Sequence, residues 1–234
     1  MTPEDQTRLV QFLLKAVRPV AIVQAHDDRQ REGAEMNWHP LIMCAEMALA
    51  YREGKKRQTR RILLPQPTGI VSLVSPGVWY DNGGGGRLYR APIQPGDGVW
   101  IREPIYHCSA SWSAHGAHAA YRSDGFGTDM LWRWKPSSLS GRYMPKRLCR
   151  TLGICKDVPV ERVQDISEED AKAEGVSDPP LSHRHHFSLL WDSLHGKKPG
   201  EDWDSNPWVF VYYLSAPITT DHAEAQRMLD KEPK

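Results

Sequence analysis

This chain of 234 residues has few cysteines, no CxxC spacing and no long apolar run. These absences argue against a structural zinc site and against a membrane-spanning protein. The four cysteines lack the paired spacing of structural zinc sites, so we expect reduced thiols and no metal. A looser zinc site would have to draw on Cys149, Cys155, His115 and His118. No apolar run is long enough to cross a bilayer and no secretory leader opens the chain, so we expect a cytoplasmic protein without membrane contact.

An excess of one charge is also missing, because the formal net charge is +1. Any nucleic acid contact must therefore use a local patch. Neither a nucleophile elbow nor a dinucleotide fingerprint is found, and the four glycines at 83–86 are followed by Arg87 and Leu88 instead of the Lys-Ser/Thr of a phosphate loop. We interpret the glycines as a hairpin tip between strands near 78–80 and 88–89, and we expect no cofactor.

What the chain does contain is a dense basic run at residues 52–61, with six cations around Gly54 and Thr59. Cations suit a helix C-terminus, and Gly54 is suited to ending that helix. This explains part of the charge, but the run continues past the glycine towards an apolar segment. A basic loop with a hydroxyl at its centre is typical of a site for an anionic or nucleotide ligand.

Short strands with turn signals, mixed with a few helices, predict the α+β class. We expect a helix at 41–52, strands at 99–103, 119–122 and 207–214, and one bent or two short strands over 150–163. Ser167 begins a capping box for a short helix that ends at Gly175. A helix at 186–194 carries one apolar face, and 106–117 is interpreted as a loop.

Four further blocks follow the basic run in a fixed order: 94–97 (QPGD) with 99–103 (VWIRE), 160–167 (VERVQDIS), 170–175 (DAKAEG) and 203–209 (WDSNPWV). With the basic run they resemble the ASCH domain, a PUA-like small β-barrel, in the version carried by many bacteriophage and prophage genomes. The resemblance covers residues 40 to 214. It implies a barrel with helical decorations over 39–215. Outside the resemblance we expect an N-terminal extension with one helix over 1–38 and a C-terminal tail over 216–234.

The resemblance extends to the bacterial acetylcytidine amidohydrolases, compact ASCH proteins that remove the acetyl group from the exocyclic amine of cytidine. It implies that Lys56, Thr59 and Glu174 form the catalytic set, with Lys56 activating the Thr59 hydroxyl. Glu174 would then pass a proton to the leaving amine or orient Lys56. Arg57 departs from the pattern, because these enzymes have threonine there.

A non-catalytic reader of RNA or of a nucleotide is the alternative that the same residues leave open. Arg57, Arg60 and Arg61 would then bind phosphate, and Trp208 would stack on a base. We expect Glu103 to lie beside the basic groove as an ion partner of Arg60 or Arg61.

The first 38 residues offer a third possibility. A helix with Leu9, Phe12 and Leu13 on one stripe is too short to be stable alone in water. We expect it to dock on the barrel, on a second copy in a homodimer, or on a host protein.

Overall fold

The computed structural model describes residues 36–84, 86–109, 117–176, 182–219 and 222–230. The predicted N-terminal helix and its docking lie outside these residues, as does His115 of the looser zinc site. Among the helices of the described residues, none has the length and apolar character that a membrane crossing requires.

The largest sheet has seven strands: β1 (Trp38–Ile42), β2 (Gln58–Ile62), β6 (Gly98–Arg102), β11 (Thr151–Asp157), β12 (Val160–Arg162), β13 (Trp208–Leu214) and β14 (Ile218–Thr219). β1 runs parallel to β6, and the other pairings are antiparallel. The segment 150–163 is therefore two strands, one of the two predicted arrangements. Within the described residues the pairing runs from β1 through β6, β11 and β13 to β2 and does not return to β1.

The remaining strands of the described residues form two smaller sheets. One pairs four strands in the order β10 (Ser138–Leu139), β7 (Ile105–Cys108), β8 (His118–Tyr121) and β9 (Gly127–Leu131). The other is a meander of β3 (Val71–Ser75), β4 (Val78–Asp81) and β5 (Arg87–Arg90). The predicted hairpin is confirmed, since β4 pairs with β5 across the glycine run. The loop expected at 106–117 is wrong at its start, because Ile105–Cys108 pairs with β8.

Four helices belong to the described residues: α1 (Ala45–Arg52), α2 (Glu168–Ala173), α3 (His183–His195) and α4 (His222–Leu229). α1 starts later than predicted because residues 38–42 pair with β6 as a strand. Its end is as predicted, since Gly54 takes a φ of 75°, which glycine adopts without steric cost. The Ser167 hydroxyl accepts from the Asp170 N–H and caps α2 as the sequence predicts.

These elements define an α+β fold with three hydrophobic clusters. One lies between α1 and the main sheet, a second lies among β6, β7, β8 and α4, and a third lies between α2, α3 and β13. Within the segment assigned to a C-terminal tail, the described residues 216–219 and 222–230 are part of this fold. Ile218 pairs with β11, and Ala225 and Leu229 of α4 are buried in the second cluster.

Replacing Leu229 by alanine tests the packing of α4. Leu229 has no exposed surface, so we expect the substitution to lower the free energy of unfolding by about 2–5 kcal/mol in urea denaturation. Gln226→Ala on the same helix is the control, because the Gln226 amide donates only locally to Asp230, and we expect a change within about 0.5 kcal/mol. Equal stability of the two variants would mean that α4 does not pack on the core.

Candidate active site

Lys56 and Glu174 are in direct contact although 118 positions separate them in the sequence. The Lys56 ammonium donates to Glu174 Oε2 at 2.6 Å and to the Glu174 backbone carbonyl at 2.7 Å. Both side chains are buried, with 3% and 5% of their surface exposed. Thr59 lines the same cavity. Three residues that the sequence singled out therefore surround one space.

The backbone between α1 and α2 produces this contact. The Lys56 N–H closes the end of α1 by donating to the Ala50 carbonyl at 3.0 Å, and the Arg57 N–H donates to the Ala173 carbonyl at 2.6 Å. Gly175 has a φ of 83°, and a Cβ placed on it would lie 2.9 Å from the Lys56 Cβ. A larger residue would push the two segments apart, so Gly175 permits the approach that brings Glu174 onto Lys56.

Thr59 lies on β2, opposite Tyr212 of β13. The expectation that the basic run is a loop is therefore wrong after Arg57, because residues 58–62 form a strand. Thr59 is buried, and its hydroxyl makes no hydrogen bond with any of the described residues. Thr59 is also one of the residues that line the cavity.

Arg60 holds the second oxygen of Glu174. Its Nη1 donates to Glu174 Oε1 at 2.9 Å, while Nε and Nη2 both reach Glu161 Oε1, at 2.9 and 2.7 Å. Burial by itself lowers the pKa of Arg60, but the charges of Glu174 and Glu161 outweigh it and the pKa is raised. The guanidinium is thus a permanent cation whose donors are occupied by carboxylates.

Lys56 behaves differently from Arg60. Burial lowers the pKa of Lys56, and the nearby Glu174 carboxylate offsets only part of this effect. The positive charge of Arg61 lowers the pKa further. Because Arg60 stays charged, Glu174 keeps a cationic partner when Lys56 loses its proton. A lysine in this setting can act as a base at a pH where an exposed lysine is protonated.

We call the space beside these residues the inner cavity; it has a volume of about 370 Å³. Its polar side is formed by Lys56, Thr59 and Glu174, together with the arginines Arg60 and Arg61. Its apolar side comes from the predicted face of α3 and from the start of α1, with side chains that include Met43, Met47, Phe187, Leu190, Trp191 and Leu194. The volume suits a ligand of nucleoside size.

Two other titratable side chains line the inner cavity, Cys44 and His195. Burial raises the pKa of the Cys44 thiol, which keeps it protonated and a poor nucleophile. Burial lowers the pKa of His195, whose ring stacks on Trp191 with centroids 4.3 Å apart.

The predicted phosphate-binding cations are not gathered at the inner cavity as free donors. Arg61 lines it but donates through Nη2 to the Ile42 carbonyl at 2.6 Å. Arg57 lies over the end of α1, where a Cβ on Gly54 would be 3.3 Å from its Nη2. Trp208 does not line the cavity; its ring is covered by the Arg162 guanidinium, 4.5 Å from the ring centroid.

The prediction that Glu103 pairs with Arg60 or Arg61 is wrong. Glu103 is 1% exposed and binds Arg150, whose Nε and Nη2 donate to its two oxygens at 2.9 and 3.0 Å. Ser123 donates to the same carboxylate. β6 ends at Arg102, and Glu103 directly after it meets Arg150, whose guanidinium lies over the ring of Tyr121 in the second cluster. No pattern around Arg150 indicated it as the partner.

Replacing Glu103 by alanine leaves the Arg150 guanidinium buried without its main partner. We expect a loss of about 3–5 kcal/mol in the free energy of unfolding, measured by urea denaturation. The double variant Glu103→Leu with Arg150→Met is the matched control, because it removes both charges and should recover most of that loss. A single variant as stable as the original protein would contradict the buried pair.

Sequence reasoning found Lys56, Thr59 and Glu174 but missed the partners of Arg60. A further partner is Gln58, whose side-chain oxygen accepts from Arg60 Nη1 at 3.1 Å. Only this one had a local signal, since alternate residues of a strand share a face. Among the described residues no cluster of three or more histidine, cysteine, aspartate or glutamate side chains fits a metal ion.

Comparison of the chain with family models, with curated proteins and with solved structures found no match.

Proposed function

We propose that this protein is an amidohydrolase that removes an acetyl group from the exocyclic amine of a modified cytidine. The observation that carries the proposal is the buried contact between Lys56 and Glu174, beside the free hydroxyl of Thr59 in one cavity. The proposal includes the finer fold implied by the resemblance, an ASCH domain built on a PUA-like barrel.

The first step is acyl transfer to Thr59. Neutral Lys56 takes the proton from the Thr59 hydroxyl while Oγ forms a bond to the acetyl carbonyl carbon. The carbon–nitrogen bond of the amide then breaks, and its electron pair stays on the nitrogen. The Lys56 ammonium gives a proton to that nitrogen, so cytidine leaves with a free amine.

The second step regenerates the threonine. Water attacks the acetyl ester, and its proton passes to Lys56 as the carbon–oxygen bond to Thr59 breaks. Lys56 then returns the proton to Oγ, and acetic acid is released. Both oxygens of Glu174 accept from cations, Oε2 from Lys56 and Oε1 from Arg60. The Glu174 carboxylate in turn orients the Lys56 side chain. We therefore assign Glu174 the positioning of Lys56, one of its two expected roles.

The environment of the arginines favours a neutral nucleoside over a phosphate in the inner cavity. The Arg60 side chain has no exposed surface and already binds two carboxylates. A phosphate there would have to displace Glu174 or Glu161. A cytosine ring, in contrast, can lie against the apolar side formed by α3 and the start of α1.

Replacing Thr59 by alanine tests the nucleophile. We expect the rate of acetylcytidine hydrolysis to fall by at least about a thousandfold, because the new bond to the substrate cannot form. The affinity for the nucleoside should stay within about threefold, because a nucleophile acts mainly in the transition state. The measurement is loss of the acetyl group followed by chromatography, with calorimetry for binding.

Thr151→Ala is the matched control for this variant. Thr151 is also a buried strand threonine whose hydroxyl has no hydrogen-bond partner within the described residues, but it lies outside the inner cavity. Its variant should hydrolyse acetylcytidine at the original rate. Absence of hydrolysis by the original protein would refute the proposed function, and full activity of Thr59→Ala would refute the role of Thr59.

A further inference from the structure

A second and larger concave space adjoins the inner cavity. Its volume is about 980 Å³, at the upper end of the range for small-molecule sites. Four arginines line it, Arg61, Arg87, Arg90 and Arg142, and we call it the arginine groove. Arg87 and Arg90 come from β5, the last strand of its sheet, and Arg142 comes from a short 3-10 turn.

Three of the four arginines of the arginine groove have no acidic partner; the fourth, Arg61, is influenced by the charge of Glu174. Among the described residues that line it, none is an aspartate or glutamate. Arg87, Arg90 and Arg142 are exposed, and none of them forms an ion pair within the described part of the chain. Arg142 also lies close enough to Arg102 for its charge to lower the pKa of Arg102, after the larger effect of burial. Cations gathered without acids favour an anionic ligand.

The groove and the inner cavity meet at one contact. Ile42 and Arg61 line both spaces, and Arg61 Nη2 donates to the Ile42 carbonyl between them. The two spaces share this contact as a wall, and a strand with one base in the inner cavity would have to cross it to reach the groove. Leu64 and Leu88 line the groove and are more than half exposed, which gives apolar surface beside the cations.

We infer that the arginine groove binds the backbone of a single-stranded polynucleotide. The phosphates would contact Arg87, Arg90 and Arg142, and the flanking bases would lie against Leu64 and Leu88. The inference rests on the proposed function in one respect, that the strand carries its modified cytidine into the inner cavity. Four arginines lining one groove can contact more than one phosphate, which favours a polynucleotide over a mononucleotide.

Binding of short labelled oligocytidines tests this inference. We expect fluorescence anisotropy to detect binding of an oligocytidine of about eight nucleotides, with affinity falling as salt rises. The double variant Arg87→Ala with Arg142→Ala should bind on the order of tenfold more weakly, and its salt slope should fall by about 0.7 for each arginine removed. RNA and DNA oligomers are compared; binding of either supports the inference, and the tighter one identifies the preferred sugar.

Arg122→Ala is the matched control, because Arg122 is an exposed arginine outside both spaces, and it should bind as the original protein does. Unchanged binding by the double variant, or no salt-dependent binding at all, would overturn the inference. So would equal competition by cytidine monophosphate, by a duplex or by polyglutamate. The binding assay measures no turnover, so the two proposals are tested separately. Failure to hydrolyse acetylcytidine would refute the proposed function, whereas the binding result alone decides the inference about the arginine groove.

Discussion

The carboxylate of Glu174 carries a charge into the protein interior, and two cations hold it there, Lys56 on one oxygen and Arg60 on the other. An isolated buried carboxylate would be strongly unfavourable, so Glu174 needs at least one charged partner at all times. Neighbouring residues support this pairing. Gly175 permits the close approach of the two segments, and Glu161 fixes the far side of Arg60.

The two cations differ in what they can do chemically. Arginine does not lose its proton in proteins, whereas a buried lysine does so readily. Arg60 can therefore keep Glu174 compensated while Lys56 changes its charge. The second buried network, Glu103 with Arg150, has an arginine and no lysine, so its cation stays charged. Both ion pairs are buried, but only the first contains a cation that can lose its proton.

The structure brings together Lys56, Thr59 and Glu174, all three of which the sequence analysis named, because their signals were local or carried by resemblance. The spacing of Lys56 and Thr59 lies within one short segment, and the cap and terminal glycine of α2 place Glu174 at a helix end. The partner of Glu103 could not be predicted, since the burial of Arg150 depends on how distant strands pack. The basic run was misinterpreted as a loop, because its charges are compensated by residues about 100 positions away.

Titration of the Lys56 side chain is the most direct test of this account. Its signal, followed by NMR and assigned with the Lys56→Met variant, should give a pKa below the value of about 10.4 of an ordinary lysine. The reason is that burial disfavours the ammonium by more than Glu174 stabilises it. A pKa at or above the ordinary value would mean that Lys56 stays an ammonium, and this would contradict its assignment as the base that activates Thr59.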